Sequence, residues 1–205
     1  MFRTNLQDAV NTYMSVRAFQ DKWEKDQQIG GGYYYALTYP SILSFFKEHQ
    51  PLSDALNLKV ALIFSWNPTI CKITPTRFKQ AEHELAAIES TRKELDTKGI
   101  LNVDINEVIR ELWGPVKKAT SSLDSTSGVS VTKFLHFSFP HIFPMIDLNT
   151  MKKLGGTTVN LTWYSFFLSE WKELYKHSKA SFDQISNAVD MPVERVLDIM
   201  IFTPK

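Results

Sequence analysis

One stretch, Ser127–Asn149 (SGVSVTKFLHFSFPHIFPMIDLN), holds the residues best suited to chemistry. Lys133 lies in a predicted short helix after the small-residue turn Gly128–Ser130, and Asp147 ends an apolar segment that two prolines stiffen. A carboxylate in apolar surroundings is costly unless it is paired or used, because desolvation disfavours its charged form. Asp147 is also placed to cap the LNTMKK segment that follows, and spacing alone favours this second role.

This order of residues, a glycine turn, a Lys-bearing helix and a proline-containing apolar segment ending in Asp, resembles the signature of the helix-hairpin-helix DNA glycosylases. The resemblance is confined to residues 127–149. It implies that Asp147 is the catalytic carboxylate, that Lys133 lies near the Schiff-base position, and that Gly128 belongs to a hairpin whose amides grip a DNA phosphate. The sequence departs from the family pattern at Ser130, which replaces the second hairpin glycine, and in the shorter interval between Lys133 and Asp147.

An enzyme of this kind hydrolyses the N-glycosidic bond of a flipped damaged or modified base in double-stranded DNA and leaves an abasic site. A carboxylate held in a dry site stabilises the positive charge that develops on the deoxyribose and orients the attacking water. The flipped base needs an aromatic or apolar pocket. We expect that pocket among Tyr33, Tyr34, Tyr35, Trp66, Asn67, Trp113, His136 and Phe137. We expect phosphate contacts from Gly128, Ser130, Lys152 and Lys153.

Some of these residues have ordinary structural interpretations. His136 between Leu and Phe is typical of a hydrogen-bonded core histidine, and Asn67 before proline is typical of a turn. We expect hydrolysis without a lyase step, and the sequence leaves the excised base open, including a hypermodified base of phage DNA. The pair Arg195 and Asp198 is expected to be a surface or interhelix ion pair without a catalytic role.

Two other function classes stay open. Residues 182–196 have the length and apolar spacing of a helix-turn-helix, although its second helix would present mainly acidic side chains to DNA. A protein-interaction module without DNA contact would suit the net charge of +1. Charge is uneven, however: residues 112–180 contain eight lysines and four acidic residues, as a phosphate-binding face would.

Composition sets the remaining limits. The 205 residues are 43% hydrophobic and 22% charged, which excludes a largely disordered chain. The single Cys71 permits neither an internal disulfide nor an iron–sulfur cluster, and it fits a reducing compartment. We expect no metal, no cofactor and no membrane contact, and we expect a soluble, cytoplasmic monomer.

Helical periodicity predicts an all-α bundle of about 8–10 helices. It predicts one helix over residues 74–99, which Thr74 caps and Gly99 ends in the left-handed conformation, and a second from Asp104 that Gly114–Pro115 kinks or splits. Further helices are expected over residues 6–24, 41–48, 53–65, 162–177, 182–189 and 192–202, with strand hints only at 32–35 and Val159. The chain is expected to form one domain or two lobes, residues 1–30 with 104–205 and residues 31–103, with the active-site cleft between them.

Overall fold

The computed structural model describes residues 2–28, 32–66, 74–120 and 128–202. They form eleven α-helices, a short 3₁₀ helix at Ile100–Asn102 and no β-strand, which confirms the all-α prediction. Within those ranges, no helix is both long and apolar enough to cross a bilayer. The α-helices are α1 (Phe2–Asn11), α2 (Val16–Gln27), α3 (Gly32–Glu48), α4 (Leu56–Trp66), α5 (Pro75–Ala87), α6 (Glu89–Leu95), α7 (Ile105–Thr120), α8 (Val129–Ser138), α9 (Leu148–Lys153), α10 (Leu161–Val189) and α11 (Val193–Ile201).

The helix count exceeds the expected number because two segments that read as single helices are divided. The segment 6–24 breaks after α1, and the Ser15 hydroxyl accepts from the Ala18 amide to cap α2. Thr74 caps α5 as predicted, but the chain leaves helical geometry at Ile88, where ψ is 17°, so that α5 and α6 are separate. Gly99 has φ −94°, so the predicted left-handed stop at this residue is wrong.

Other boundaries follow from local chemistry. α7 continues through Pro115 without the expected break. The residue before proline is Gly114, which has no Cβ to clash with the proline ring, and the apolar face of α7 is buried. Residues 32–35, the strand hint, belong to α3. The two helices expected over 162–189 are joined as α10 with a kink at Ser178.

The centre of the fold consists of α8 and α11, which are buried along almost their whole length. On α8 every residue except Lys133 is buried, and on α11 residues 194–201 are all buried. A recognition helix must reach the surface to enter a DNA groove. The helix-turn-helix interpretation of residues 182–196 is therefore wrong, because its second helix is inside the core.

Lys59 on α4 stabilises the connection between α3 and α4. Its side chain is 1% exposed, and its Nζ donates to the carbonyl oxygens of His49 at 2.5 Å, Pro51 at 2.9 Å and Leu52 at 3.3 Å. Three backbone acceptors, one in a buried and two in partly buried hydrogen bonds, thus share one buried amine. A buried acceptor that loses its hydrogen-bond donor lowers the free energy of unfolding, and the packing of an apolar side chain in place of the donor does not compensate for this loss.

We predict that Lys59→Met lowers the free energy of unfolding by about 2–4 kcal/mol, because the three carbonyls lose their donor. Urea unfolding followed by circular dichroism measures the change. The control is Lys98→Met, which removes a partly exposed ion pair with Glu94 and should cost less than about 1 kcal/mol. Equal losses in the two variants would contradict the role of Lys59.

Candidate active site

The segment between α8 and α9 runs back along α8 and is hydrogen-bonded to it. The Thr132 hydroxyl lies 3.2 Å from both the amide nitrogen and the carbonyl oxygen of Ile146. His136 Nδ1 lies 2.7 Å from the Phe143 carbonyl oxygen. Lys133 directly follows Thr132 in the chain, and Asp147 directly follows Ile146. The fold therefore brings the backbones of the two candidate catalytic residues close together, and the charge of Asp147 acts on Lys133, although thirteen residues separate them in sequence.

Asp147 is the N-cap of α9. Its backbone is extended, with φ −101° and ψ 173°, and its Oδ1 accepts from the Thr150 amide at 2.6 Å. The capping role that spacing favoured is confirmed. The cap engages one carboxylate oxygen with an amide and fixes the orientation of the side chain. The carboxylate is half-buried, and its charge acts on both Lys133 and Asp198.

Lys133 is the half-buried exception on a buried helix. Burial lowers the pKa of its amine to about 8, against the opposing effects of Asp198 and then Asp147, and Arg195 adds to the lowering. Such an amine is about one-tenth unprotonated at neutral pH, far more than an ordinary lysine. It is therefore chemically suited to proton transfer or nucleophilic attack.

Sequence reasoning missed the contribution of α11. Arg195 and Asp198 form an ion pair within this helix, and both are buried rather than at the surface or between helices. The Arg195 guanidinium lies 4.9 Å from the centre of the Tyr39 ring and 5.6 Å from that of Trp23. Burial raises the pKa of Asp198 to about 6, and the adjacent Arg195 opposes this. The sequence did contain a signal for this pair, because α11 carries charged residues within an otherwise apolar helix.

Two expected pocket residues are core residues. His136 is completely buried, its Nε2 is 2.8 Å from the Tyr39 hydroxyl, and its Nδ1 is bonded to Phe143. Burial lowers the pKa of His136 to about 3, so the ring is neutral and both nitrogens are occupied. Trp113 is buried with its ring centre 5.7 Å from that of Tyr164. The prediction of pocket roles for His136 and Trp113 is corrected accordingly.

The turn at Gly128 is packed inside the protein. The Gly128 amide donates to the Val159 carbonyl at 2.5 Å, and a Cβ at this position would lie 2.5 Å from the Trp113 ring. Ser130 is also buried. The expected phosphate contacts of Gly128 and Ser130 are therefore corrected: close packing requires this glycine, and its amide is occupied. Lys152 and Lys153 are exposed at the end of α9, and their phosphate contacts stay a prediction.

The remaining pocket predictions fall mostly outside the described residues. Asn67 lies outside the described ranges, and so do the side chains of Tyr33, Tyr34, Tyr35 and Trp66. Phe137 is described, and it lines a groove next to α3 and the turn between α10 and α11. Among the described residues, no three His, Cys, Asp or Glu side chains are arranged to hold a metal ion.

A groove of about 1360 Å³ lies between α3 and the turn that joins α10 to α11, and we call it the α3–α11 groove. Phe137, at the end of α8, lines it together with Trp23, Tyr39 and Arg195. Phe137 lies four residues after Lys133, so the two side chains share one face of α8 about one turn apart. Lys133 and Asp147 are not themselves among the residues that line the groove; Phe137 places it about one turn of α8 from Lys133. Its two walls, α3 and the α10–α11 turn, belong to the two segments that the sequence analysis assigned to different lobes. The division of the chain into two lobes stays a prediction.

Comparisons of this chain with protein-family models, with curated proteins and with solved structures found no match.

Glu194, in the wall of the groove, is a buried acid whose two carboxyl oxygens have no hydrogen-bond partner in any other described residue. Burial raises the pKa of Glu194 from 4.5 to about 8. Folding therefore disfavours its ionised form, and the associated stability is lost as the pH rises from 4.5 through 8. His136 acts in the opposite direction, but only below its ordinary pKa of 6.5.

We predict that Glu194 lowers the free energy of unfolding by about 1–2 kcal/mol between pH 6.5 and pH 8, because its carboxyl is ionised in the unfolded chain and still largely protonated in the folded one; Lys59 and Lys133, whose pKa values burial lowers to about 8, offset part of this fall. Glu194→Gln carries no ionisable group and should largely remove this fall. Urea titrations of both proteins at the two pH values measure the difference. Equal pH dependence in the variant and the parent would show that Glu194 is already ionised in the folded protein.

Proposed function

We propose that this protein is a DNA glycosylase that cleaves the N-glycosidic bond of a damaged or modified base and leaves an abasic site in double-stranded DNA. The observation that supports the proposal is the approach of Lys133 and Asp147, which the Thr132–Ile146 hydrogen bonds enforce. These are the two residues to which the resemblance gives chemical roles. Their proximity is a feature of the folded chain that their spacing in the sequence does not require.

Asp147 supplies the negative charge. As the base departs, positive charge develops on the deoxyribose, and a carboxylate of fixed orientation stabilises it without reorganising at that moment. The hydrogen bond from the Thr150 amide provides this fixed orientation. The cap and the catalytic role are thus compatible, because one oxygen is bonded to α9 while the charge of the group acts on its surroundings.

Lys133 supplies an amine beside that carboxylate. In its protonated form it can give a proton to the departing base, and in its free form it can attack C1′ of the sugar. Attack forms an N–C1′ bond as the C1′–base bond breaks with its electron pair, and the base takes up a proton. The product still carries the ring oxygen O4′ on C1′; when the C1′–O4′ bond breaks and O4′ takes up the proton that the amine nitrogen loses, the nitrogen lone pair forms the C1′=N bond of a Schiff base. Lys133 thus also makes a lyase step accessible, beyond the simple hydrolysis expected from sequence.

The α3–α11 groove supplies a place for the extruded base. It contains aromatic side chains, it starts about one turn of α8 from Lys133, and its volume exceeds that of ordinary small-molecule sites. Exposed Lys152 and Lys153 lie on α9, directly after Asp147 and its cap, where they can contact the phosphates that flank the base. DNA is thus the proposed partner, in a cytoplasmic setting.

We predict that Asp147→Asn lowers the rate of abasic-site formation by at least about 100-fold, because the charge is removed. Asparagine is as good an N-cap as aspartate, so the free energy of unfolding should change little. Abasic sites are counted by alkaline cleavage of DNA from several sources, including phage DNA with modified cytosines. Asp147→Ala is the matched variant that also removes the cap and costs about 1 kcal/mol.

The two variants separate the two roles of Asp147. Full activity of Asp147→Asn, together with a loss in Asp147→Ala that follows its stability, would leave the residue only its capping role. If the wild-type protein forms no abasic sites in any of the DNAs, the glycosylase proposal is wrong, and an interaction module is the remaining interpretation.

We predict that borohydride traps a covalent complex of the wild-type protein with substrate DNA, by reducing the iminium at Lys133. Lys133→Gln cannot form the complex, and Lys176→Gln should form it normally, because Lys176 is exposed on α10 and has no part in the proposal. Denaturing gels measure the trapped fraction. Abasic-site formation by the wild type without any trapped complex would indicate hydrolysis alone, with Lys133 as a proton donor.

A further inference from the structure

Glu194 forms part of the wall of the α3–α11 groove at the point where α11 begins. Its side chain is 0% exposed, and neither carboxyl oxygen has a hydrogen-bond partner in any other described residue. Buried polar groups in folded proteins are nearly always hydrogen-bonded, because an unmade bond in the interior costs free energy. A buried acid without such a partner therefore requires a reason, and a ligand that supplies the missing bonds is one.

The tyrosines around Glu194 direct their hydroxyl groups to other partners. Its charge acts on three of them, and their hydroxyl contacts are Tyr39 with His136 at 2.8 Å, Tyr164 with the Pro144 carbonyl at 2.7 Å, and Tyr175 with Asp183 at 2.6 Å. The next residue in the chain, Arg195, forms its ion pair with Asp198. The polar groups of the groove wall thus leave the Glu194 carboxyl to a group from outside the chain.

The chemical state of this carboxyl determines which group it can bind. Burial raises the pKa of Glu194 to about 8, and only its own backbone amide opposes this. At neutral pH the group is therefore mostly a carboxylic acid, which carries an O–H donor and a carbonyl acceptor side by side. A ligand satisfies both atoms when it presents an acceptor and a donor on neighbouring positions. The pairing edge of each unmodified nucleobase does so, with a ring nitrogen beside an amino or carbonyl group.

The groove around Glu194 suits a flat ring. Trp23, Phe137 and Tyr175 line it and offer aromatic surface for packing. The half-buried turn Met191–Val193, directly before Glu194, lines it as well. Because the carboxyl itself is closed to water, a ligand contacts it by displacing side chains of this turn. The hydrogen bonds then form in a dry environment, where they are stronger than in water.

We propose that the α3–α11 groove binds the extruded nucleobase through Glu194, whose carboxyl makes two hydrogen bonds to the adjacent donor and acceptor on the pairing edge of the base. This inference rests on the proposed function, because it takes the ligand to be the base that leaves the DNA. Glu194 is then a residue that determines specificity. It accepts bases whose pairing edge is intact, and it disfavours bases that are alkylated on that edge.

The groups that face Glu194 do not titrate in the pH range of the tests below. Burial raises the pKa of all three tyrosines, and Arg195 stays charged in its ion pair. The helices α1 and α2 also pack against α11. Their described charged side chains are either exposed, as Asp8 is, or paired with each other, as Lys22 and Asp26 are.

The first experiment measures binding of the base alone, without DNA. The probes are 1-methylcytosine, 1-methylthymine, 9-methyladenine and 9-methylguanine, in which a methyl group replaces the sugar. Titration of the ¹⁵N-labelled protein at pH 6.5, followed by NMR, gives the Kd, and the amide signals of residues 191–195 should shift. The control ligand is 1,3-dimethylthymine, whose pairing edge is blocked. It should bind at least about tenfold more weakly than 1-methylthymine, because it lacks the donor.

Two variants assign the binding to Glu194. Glu194→Gln keeps a donor and an acceptor side by side and should bind the probes with unchanged affinity. Glu194→Met fills the same space without either group and should lose at least about tenfold in affinity. Neither change leaves a buried charge without its partner, so both variants should fold, which circular dichroism checks.

The pH dependence of binding separates the acid from the amide. At pH 9 about one-tenth of Glu194 is still protonated, so the affinity of the wild type should fall about tenfold between pH 6.5 and pH 9. The affinity of Glu194→Gln should stay constant. This comparison uses the cytosine, thymine and adenine probes, because guanine offers two adjacent donors to the ionised group.

The outcomes distinguish this inference from the proposed function. Failure of all four probes to bind the wild type, or equal binding by the wild type and Glu194→Met, would overturn the role of Glu194. Equal binding of 1-methylthymine and its blocked control would do the same. These results would leave the glycosylase proposal intact, because abasic-site formation tests it separately. Binding that depends on Glu194 in a protein that forms no abasic sites would support the base site and overturn the glycosylase proposal.

Discussion

The hydrogen bonds that Thr132 and His136 make to the chain running back along α8 determine where the candidate site lies. Thr132 engages both backbone polar groups of Ile146, and His136 holds the carbonyl of Phe143. All four residues are buried, so these bonds are not exchanged with water and are costly to break. This pairing places Lys133 near Asp147 in the fold, and the charge of Asp147 therefore acts on the Lys133 amine.

The site combines charges that are individually unfavourable in a protein interior. Asp198 and Arg195 are buried together, and Lys133 and Asp147 are half-buried beside them. The buried pair Arg195 and Asp198 is tolerated because the opposite charges are close, and removal of either one leaves its partner uncompensated. Such an arrangement is a weak source of stability, since apolar residues would fill the same space at less cost. Its retention in the core is more readily understood if the charges take part in chemistry.

Sequence reasoning predicted the helical class, the cap at Asp147 and most helix positions, because these depend on local periodicity and capping. It failed where contacts between residues far apart in sequence determine the structure. Gly128 was assigned to a DNA-binding hairpin, whereas its amide is bonded to Val159 and its surface is packed on Trp113. Arg195 and Asp198 were expected at the surface or between helices, whereas they are buried as a pair because Trp23 and Tyr39 on other helices pack against Arg195. The groove and the burial of Arg195 and Asp198 on α11 could be recognised only in the folded structure, because the residues around them come from separate segments of the chain.

The burial of α11 against the first two helices has a consequence for how the molecule is assembled during synthesis. The Lys22 amine on α2 donates to the carbonyl of Phe202 at 3.0 Å, so groups from near both ends of the described chain meet. Contacts of such large sequence separation form late, because the loop between them must first be closed. Until α11 has been synthesised and docks, α1 and α2 lack their packing against it, and the Lys22 amine lacks its acceptor on Phe202. The native packing of the two N-terminal helices is therefore completed only after the last helix of the described chain has been made.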